Sequence, residues 1–365
     1  MKANRVFIIA EAGVNHNGSI ETAERLVDVA ADAGADAVKF QTFRAESIIS
    51  KSAGKAQYQV ETTGDGETQL EMVKRLELGE TEHLRLVEKC RSRGILFLST
   101  PFDSASLHFL VEIINVPLIK VPSGEITNAP FLLEIARTGK PVILSTGMST
   151  LGEIEQALGV LAFGSLFPDS VPAKSDFCSA YQSLEGQRIL GGRVTLLHCT
   201  TEYPAPLCDV NLLAMETLHT AFGLPVGYSD HTAGIAVPIA AAARGAVVIE
   251  KHFTIDRLLP GPDHKASIEP GELAMLVRSV REVEAALGTA IKSPAASELG
   301  NRNVARKSIV AARNIRRGET FSLDNVCVKR PGGGLSPFKY WELLGRSAKS
   351  EYREDETLDD EVCGQ

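Results

Sequence analysis

Val6-Phe7-Ile8-Ile9-Ala10-Glu11, followed by Ala12-Gly13-Val14-Asn15-His16-Asn17-Gly18, decides between two architectures. The apolar run reads as a buried strand. The connection behind it is polar and lacks GxGxxG, the fingerprint that a doubly wound nucleotide-binding sheet would place there. Similar runs recur at 36–41, 95–99, 117–121, 141–145, 194–199, 225–229 and 247–252. Helical patterns separate them. In 19–33, Ser19 is a natural N-cap, Ile20, Ala23, Leu26, Val27 and Ala30 share one face, and Gly34 follows the end. In 271–287, Leu273, Leu276, Val277, Val280 and Leu287 face inward, with Gly288 as the stop. Strands alternating with helices predict a parallel sheet. Eight repeats within about 285 residues suit an α/β fold of the (β/α)8 TIM-barrel type.

Two stretches interrupt the rhythm. Residues 42–79 follow the second strand, on the face where a barrel keeps its chemistry, and are expected to act as a substrate lid. Residues 164–193 precede a strand and are expected to be a neutral insertion on the opposite face. After 1–288, residues 289–304 read as a linker and 305–365 as a small unit with strands near Ser308-Ile309-Val310-Ala311-Ala312 and Val326-Cys327-Val328-Lys329-Arg330-Pro331. Gly332-Gly333-Gly334 reads as a flexible loop, because no helix pattern opens from it.

Composition narrows the function. A formal charge of −8 over 365 residues, without a basic stripe, argues against a nucleic-acid partner. No run approaches the ~18 apolar residues of a membrane span, and the first apolar run is too short for a signal peptide. The six cysteines are scattered without a CxxC, which fits reduced thiols in a cytoplasmic protein.

In a β/α barrel, chemistry gathers at the C-terminal ends of the strands. Here those ends read Glu11; Lys39-Phe40-Gln41; Ser99-Thr100; Lys120-Val121-Pro122-Ser123-Gly124-Glu125; Ser145-Thr146; His198-Cys199-Thr200-Thr201-Glu202-Tyr203; Ser229-Asp230-His231; and Glu250-Lys251-His252. Burying so many polar groups is costly unless a ligand pairs them. Lys39 and Lys120 suit a phosphate or carboxylate, with Thr100, Ser123, Ser145 and Ser229 as neutral donors around it. His231 and His252 end consecutive strands and suit either a divalent ion or hydrogen-bonded acid–base work. Glu11 and Glu125 could move protons or bind sugar hydroxyls. Asp263, on the Pro260-Gly261-Pro262 loop, could do the latter. A metal-dependent TIM-barrel hydrolase is the distant alternative, and the absence of HxH on the first strand argues against it.

At these residues the sequence resembles the sialic acid synthase family. The resemblance rests on Ile8-Ile9-Ala10-Glu11-Ala12-Gly13, Val38-Lys39-Phe40-Gln41-Thr42, Lys120-Val121-Pro122-Ser123-Gly124-Glu125, Gly227-Tyr228-Ser229-Asp230-His231-Thr232, Glu250-Lys251-His252-Phe253-Thr254 and Pro260-Gly261-Pro262-Asp263-His264, in order along the chain. Residues 305–350 look like the family's C-terminal antifreeze-like (SAF) domain. The resemblance implies a transferase that joins phosphoenolpyruvate to the aldehyde of an N-acetylmannosamine-type sugar. The expected product is a nonulosonic acid, N-acetylneuraminate first, with N,N'-diacetyllegionaminate and pseudaminate as alternatives. It implies His231 and His252 as ligands of Mn2+ or Mg2+, and Glu11, Lys39 and His252 as catalytic. Lys39, Thr100, Lys120, Ser123, Ser145 and Ser229 would bind phosphoenolpyruvate, and Gln41, Glu125, Tyr203 and Asp263 the sugar. Thr201 stands where some synthases carry asparagine. The resemblance further implies a homodimer whose small domain caps the partner's barrel, bringing Arg330 to the sugar.

Overall fold

Eight strands form where the apolar runs predict them: β1 Phe7–Gly13, β2 Ala37–Thr42, β3 Leu96–Pro101, β4 Ile119–Val121, β5 Val142–Ser145, β6 Val194–Cys199, β7 Val226–Asp230 and β8 Val248–His252. They belong to a computed structural model that describes residues 5–363, the side chains of residues 174, 360 and 363 apart. All ladders are parallel and run β3-β2-β1-β8-β7-β6-β5-β4. The two ends of that order, β3 and β4, pack side by side and complete a barrel.

Alternation along the strands sorts the side chains. Ile9, Ala37, Leu98, Ile143, Leu197 and Val248 point inward and plug the barrel. Fully burying a side chain such as Leu98 contributes about 2 kcal/mol. Their alternate neighbours face the helices and join a large outer core with Leu26, Leu86, Leu132 and Leu276. Two residues beyond the plug, the same inward face carries Glu11, Lys39, Thr100, Lys120, Ser145, Cys199, Ser229 and Glu250, all buried. The interior thus changes from apolar to polar within one layer. Gly227 occupies the plug layer because a Cβ there would stand 2.4 Å from the Val248 carbonyl and 2.7 Å from Leu197 Cδ2.

Helix Ile20–Asp32 starts where Ser19 accepts from Thr22 N and buries Ala23, Leu26, Val27 and Ala30. Helix Pro270–Leu287 buries Leu273, Leu276, Val277 and Val280, but Leu287, expected inward, is 54% exposed. Its last turn runs past the core.

Residues 42–79 hold three short helices, Ala45–Ile48, Gln57–Thr63 and Gln69–Lys74. The stretch expected as a simple insertion folds as helices Lys174–Gln182 and Leu184–Arg193, which pack on helix Leu151–Leu166. Close approach sits at Gly159, where a Cβ would meet the Phe177 carbonyl at 2.8 Å. No described helix is long and apolar enough to cross a membrane.

The chain divides into two compact units after Gly288. The stretch read as a linker carries helix Leu299–Ala305. The second unit pairs β9 Ser308–Ala311 with β10 Val326–Lys329 antiparallel and has its own core around Ile309, Phe321, Leu335, Leu343 and Leu358. Its glycine run is packed rather than free: Gly334 N donates to Ser308 Oγ, and a Cβ there would meet the Leu358 carbonyl at 2.7 Å.

Candidate active site

Glu250 on β8 is the hub of the polar layer. Lys120 Nζ stands 3.3 Å from its Oε1, Lys39 Nζ 3.7 Å from its Oε2, and Ser229 Oγ donates to it at 3.1 Å. Lys39 also lies 2.6 Å from Glu11 Oε2 and donates to Thr100 Oγ1 at 2.9 Å. Each contact joins different strands, so the parallel register itself assembles the cluster.

The charges are unequal. Burial pushes the Glu11 carboxyl above the usual carboxylate range despite the Lys39 ammonium beside it. Burial also opposes the Glu250 charge, but Lys120 and Lys39 outweigh it and hold that carboxyl below its ordinary value. Lys39 is likewise opposed by burial, yet Glu11 and Glu250 hold its ammonium. Lys120 is lowered, by burial first.

A second group of donors lies beside this cluster. Gly147 N donates to Ser123 Oγ at 3.0 Å. A Cβ on Gly147 would fall 2.3 Å from Thr201 Oγ1 and 2.7 Å from Ser123 Oγ, so only glycine leaves this cradle open. Thr201 Oγ1 and Ser145 Oγ are buried with no hydrogen-bond partner in the protein. Unpaired buried hydroxyls are rare and point to a ligand that would satisfy them.

The histidines form the next layer. The His231 and His252 rings lie 5.4 Å apart, centroid to centroid, tilted by 57°. His231 Nδ1 is 2.7 Å from the Thr200 carbonyl and 3.7 Å from Cys199 Sγ. That bond places the proton on Nδ1 and the lone pair on Nε2. Burial lowers the His231 pKa, but the Cys199 sulfur, the Thr200 carbonyl and the Glu250 charge together outweigh it, and the ring is raised overall. His252 is held well below the ordinary value by burial and by His231, and its buried Nδ1 has no partner in the protein. Two imidazoles sharing one ion at metal–nitrogen distances of about 2.1 Å have ring centroids about 5 Å apart. The pair therefore fits a divalent ion. No group of three or more His, Cys, Asp or Glu side chains able to hold a metal occurs among the described residues, so the other positions would fall to water and substrate.

Tyr203 packs against this pair, its ring 4.2 Å from His231 at a tilt of 35° and 5.7 Å from His252, which it meets edge to face. A cavity of about 200 Å³ opens beside it, lined by Gln41, Tyr203, His252 and Asp263 together with Tyr58, Ile49, Met72 and Leu76 from the segment after β2. Asp263 is buried, which pushes its carboxyl up to about 6.

The structure thus brings together Glu11, Lys39, Thr100, Lys120 and Ser229. It places Ser123 in the adjoining cradle, and Gln41, Tyr203, His252 and Asp263 around the cavity. Glu125 does not line that cavity. It sits half-buried in the turn Ser123–Glu125 and accepts from Asn128 Nδ2 at 2.7 Å. Arg330 is exposed on the second unit. Asn15 fastens loops, donating to the Phe253 carbonyl and Ser267 Oγ. Sequence reasoning gave no role to Glu250, Cys199 or Tyr58. For the first two a signal existed, since Glu250 shares its strand face with His252 and Cys199 aligns with Ser229 across the β6–β7 ladder.

The NeuB family model matches residues 26–292, and the SAF domain model matches 306–361. The chain belongs to the NeuB family. It is 49% identical over 354 residues to a Campylobacter jejuni N,N'-diacetyllegionaminic acid synthase, covering 97% of this chain and 99% of that one. It is 35% identical to the mouse N-acetylneuraminate-9-phosphate synthase, covering 97% of this chain and 92% of that one. Among solved structures, it resembles the Leptospira borgpetersenii N-acetylneuraminic acid (sialic acid) synthetase in complex with citrate. That match has 38% identity and a TM-score of 0.65, with 82% of this chain and 90% of that chain covered.

Proposed function

We propose that this NeuB-family chain condenses phosphoenolpyruvate with the open-chain aldehyde of an N-acetylated mannosamine-type sugar, giving a nonulosonic acid and phosphate. The observation that carries the reading is a buried layer with two lysines around one low-pKa carboxylate, beside unpaired hydroxyls and next to an imidazole pair. With Glu11 protonated, Lys39, Lys120 and Glu250 leave a net positive charge that a small, strongly anionic ligand would balance.

In this reading Lys39, Thr100, Lys120, Ser123, Ser145 and Ser229 hold phosphoenolpyruvate. Its C3 forms the new C–C bond to the aldehyde carbon, and the aldehyde oxygen takes the Glu11 proton. Water adds at C2 and returns a proton to Glu11, whose raised pKa suits it to proton transfer in both directions near neutral pH. Phosphate then leaves with its bridging oxygen by C–O cleavage and takes the remaining proton of the C2 hydroxyl, which closes to the ketone. His231 and His252 would hold a Mn2+ or Mg2+ ion, which when bound supplies Lewis-acid polarisation of the aldehyde oxygen. Gln41, Tyr203 and Asp263 would orient the sugar. Glu125 would reach it only after leaving Asn128.

Two observations favour a diacetamido sugar, and so an N,N'-diacetyllegionaminate-type product, over N-acetylneuraminate. The cavity's wall on the segment after β2 is apolar, with Ile49, Met72 and Leu76, and among the described residues no lysine or arginine lines the cavity. Such a wall suits methyl groups and gives nothing to a phosphorylated sugar. The 49%-identical relative bears that product in its name. A homodimer in which Arg330 reaches the partner's sugar belongs to the same proposal. The test is phosphate release from phosphoenolpyruvate with Mn2+ and, in turn, N-acetylmannosamine, its 6-phosphate, and 2,4-diacetamido-2,4,6-trideoxymannose. The last should give the highest kcat/KM. Phosphate release that is independent of any sugar would refute the condensation.

A further inference from the structure

The segment between β2 and β3 has its own fastening. Lys55, whose side chain is only 4% exposed, donates to Thr63 Oγ1 at 3.0 Å and to the Gly64 carbonyl at 2.9 Å, and pairs with Glu67 at 3.2 Å. These contacts clamp helix Gln57–Thr63 from its N-terminal approach to its end. Glu67 also takes Arg75 at 2.7 Å. Arg75 is seated in turn against the loop after β1, where a Cβ on Gly18 would stand 2.4 Å from its carbonyl. A buried lysine with three partners is an expensive device for a mere surface excursion. Its effect is to fix the first turn of the helix, and with it Tyr58.

Tyr58 points into the chemistry. Its ring lies 5.1 Å from Tyr203, the ring that packs against His231. It lines the same cavity as His252 and Asp263 and faces the Asp263 charge, which with burial keeps its phenol protonated. Tyr58 thus offers an aromatic face and an O–H donor to a neutral, hydroxylated ligand.

The direction of the substrate follows from the layers. The reacting aldehyde must lie near the imidazole pair and the polar layer beneath. The distal end of the sugar then points outward, to the wall built by the segment after β2. We propose that Tyr58 is a substrate-binding, specificity-determining residue. It closes the cavity against Tyr203, and with Ile49, Met72 and Leu76 it selects sugars that carry an acyl-methyl or deoxy-methyl group at the end remote from the aldehyde. This rests on the condensation proposed above.

Three variants separate this from a structural role. Each is assayed by phosphate release against phosphoenolpyruvate, the diacetamido sugar and N-acetylmannosamine. Tyr58→Ala should raise KM for the diacetamido sugar at least tenfold and leave KM for phosphoenolpyruvate within twofold. The kcat/KM ratio between the two sugars should fall at least fivefold. Tyr58→Phe should keep most of that ratio, because the ring makes the wall. Lys55→Met loosens the clamp but keeps the Tyr58 ring, so it should raise KM for both sugars and lower their ratio by less than half as much as Tyr58→Ala does. The proposal is overturned if Tyr58→Ala keeps the wild-type ratio, or if it matches Lys55→Met in every parameter. Wild-type protein that releases no phosphate with any sugar would instead overturn the condensation itself, and this inference with it.

Discussion

Lys251→Met should destabilise the barrel by several kcal/mol, and the structure sets the size. Lys251 and Asp230 are paired across β7 and β8, with Nζ 2.6 Å from Oδ2 and both side chains 0% exposed. Lys251 also donates to the Thr232 carbonyl, and Asp230 Oδ1 accepts from Thr232 N at 2.9 Å. Methionine fills the volume but leaves a buried carboxylate with one hydrogen bond. Removing one partner of such a pair costs about 3–5 kcal/mol. Urea unfolding followed by far-UV circular dichroism is the assay. The single tryptophan, Trp341, lies in the second unit, so its fluorescence is not a direct probe of the β7–β8 pair. Asp230→Asn combined with Lys251→Met should recover most of the loss. A single variant that costs under about 1 kcal/mol, or a double variant no better than the single, would refute the view that this pair clamps β7 to β8. The clamp matters to the site because His231 and His252 are the next residues on those strands. Protein carrying Lys251→Met that folds should bind Mn2+ more weakly, as read by titration calorimetry without substrates.

Gly227→Ala should cost about 3 kcal/mol or prevent folding, because the new Cβ meets the Val248 backbone as well as side chains; soluble yield and urea midpoint measure it. Burial holds His16 at about 4, against an ordinary 6.5, so the unfolded chain takes up a proton between those values that the folded one does not. Stability from this group is complete above pH 6.5 and lost as pH falls towards 4, by about 3 kcal/mol in all. His16→Gln should reduce the difference between urea midpoints at pH 7 and pH 4.5. Arg330→Ala should raise KM for the sugar more than that for phosphoenolpyruvate; unchanged sugar kinetics would remove Arg330 from the proposed dimeric site.

The barrel was legible because each strand is a short β-branched or apolar run and some of the helices begin at a readable cap, as helix Ile20–Asp32 does at Ser19. Its polar layer was legible too, since inward and outward positions alternate: Ser229, His231, Glu250 and His252 face in, while Asp230 and Lys251 face the helices. Applied strictly, that rule would have singled out Glu250 as well. Leu287 shows the limit of the helical rule. Periodicity gives a face but not the point where the neighbour ends. The helices at 174–193 stayed hidden because helix Leu151–Leu166 is buried nearly all round, so no amphipathic stripe announces a second layer upon it. Tyr58 was out of reach for a different reason. Its place is set by Lys55 and Arg75, through contacts with a carbonyl and with Glu67 that carry no pattern in the sequence.

The electrostatics of the polar layer tie fold to function. Four ionisable side chains from four strands share a space closed below by the apolar plug, so none can reach water to relieve its charge. Glu250 settles two lysines only in part, because one carboxylate cannot balance two ammonium groups, and Glu11 is pushed towards its neutral form. A Coulombic deficit of one charge at about 4 Å is worth about 4 kcal/mol at an effective dielectric constant near 20. In the proposed function that energy goes to a bound anion, and the unpaired hydroxyls of Ser145 and Thr201 would give the anion a direction. Neutralising the deficit from within should therefore weaken the ligand rather than strengthen the protein's grip on it. Lys120→Met removes one ammonium and should raise the phosphoenolpyruvate KM by a hundredfold or more while the urea midpoint holds or rises. A variant that instead loses stability, with an unchanged KM, would mean that the lysines serve the fold and not the ligand.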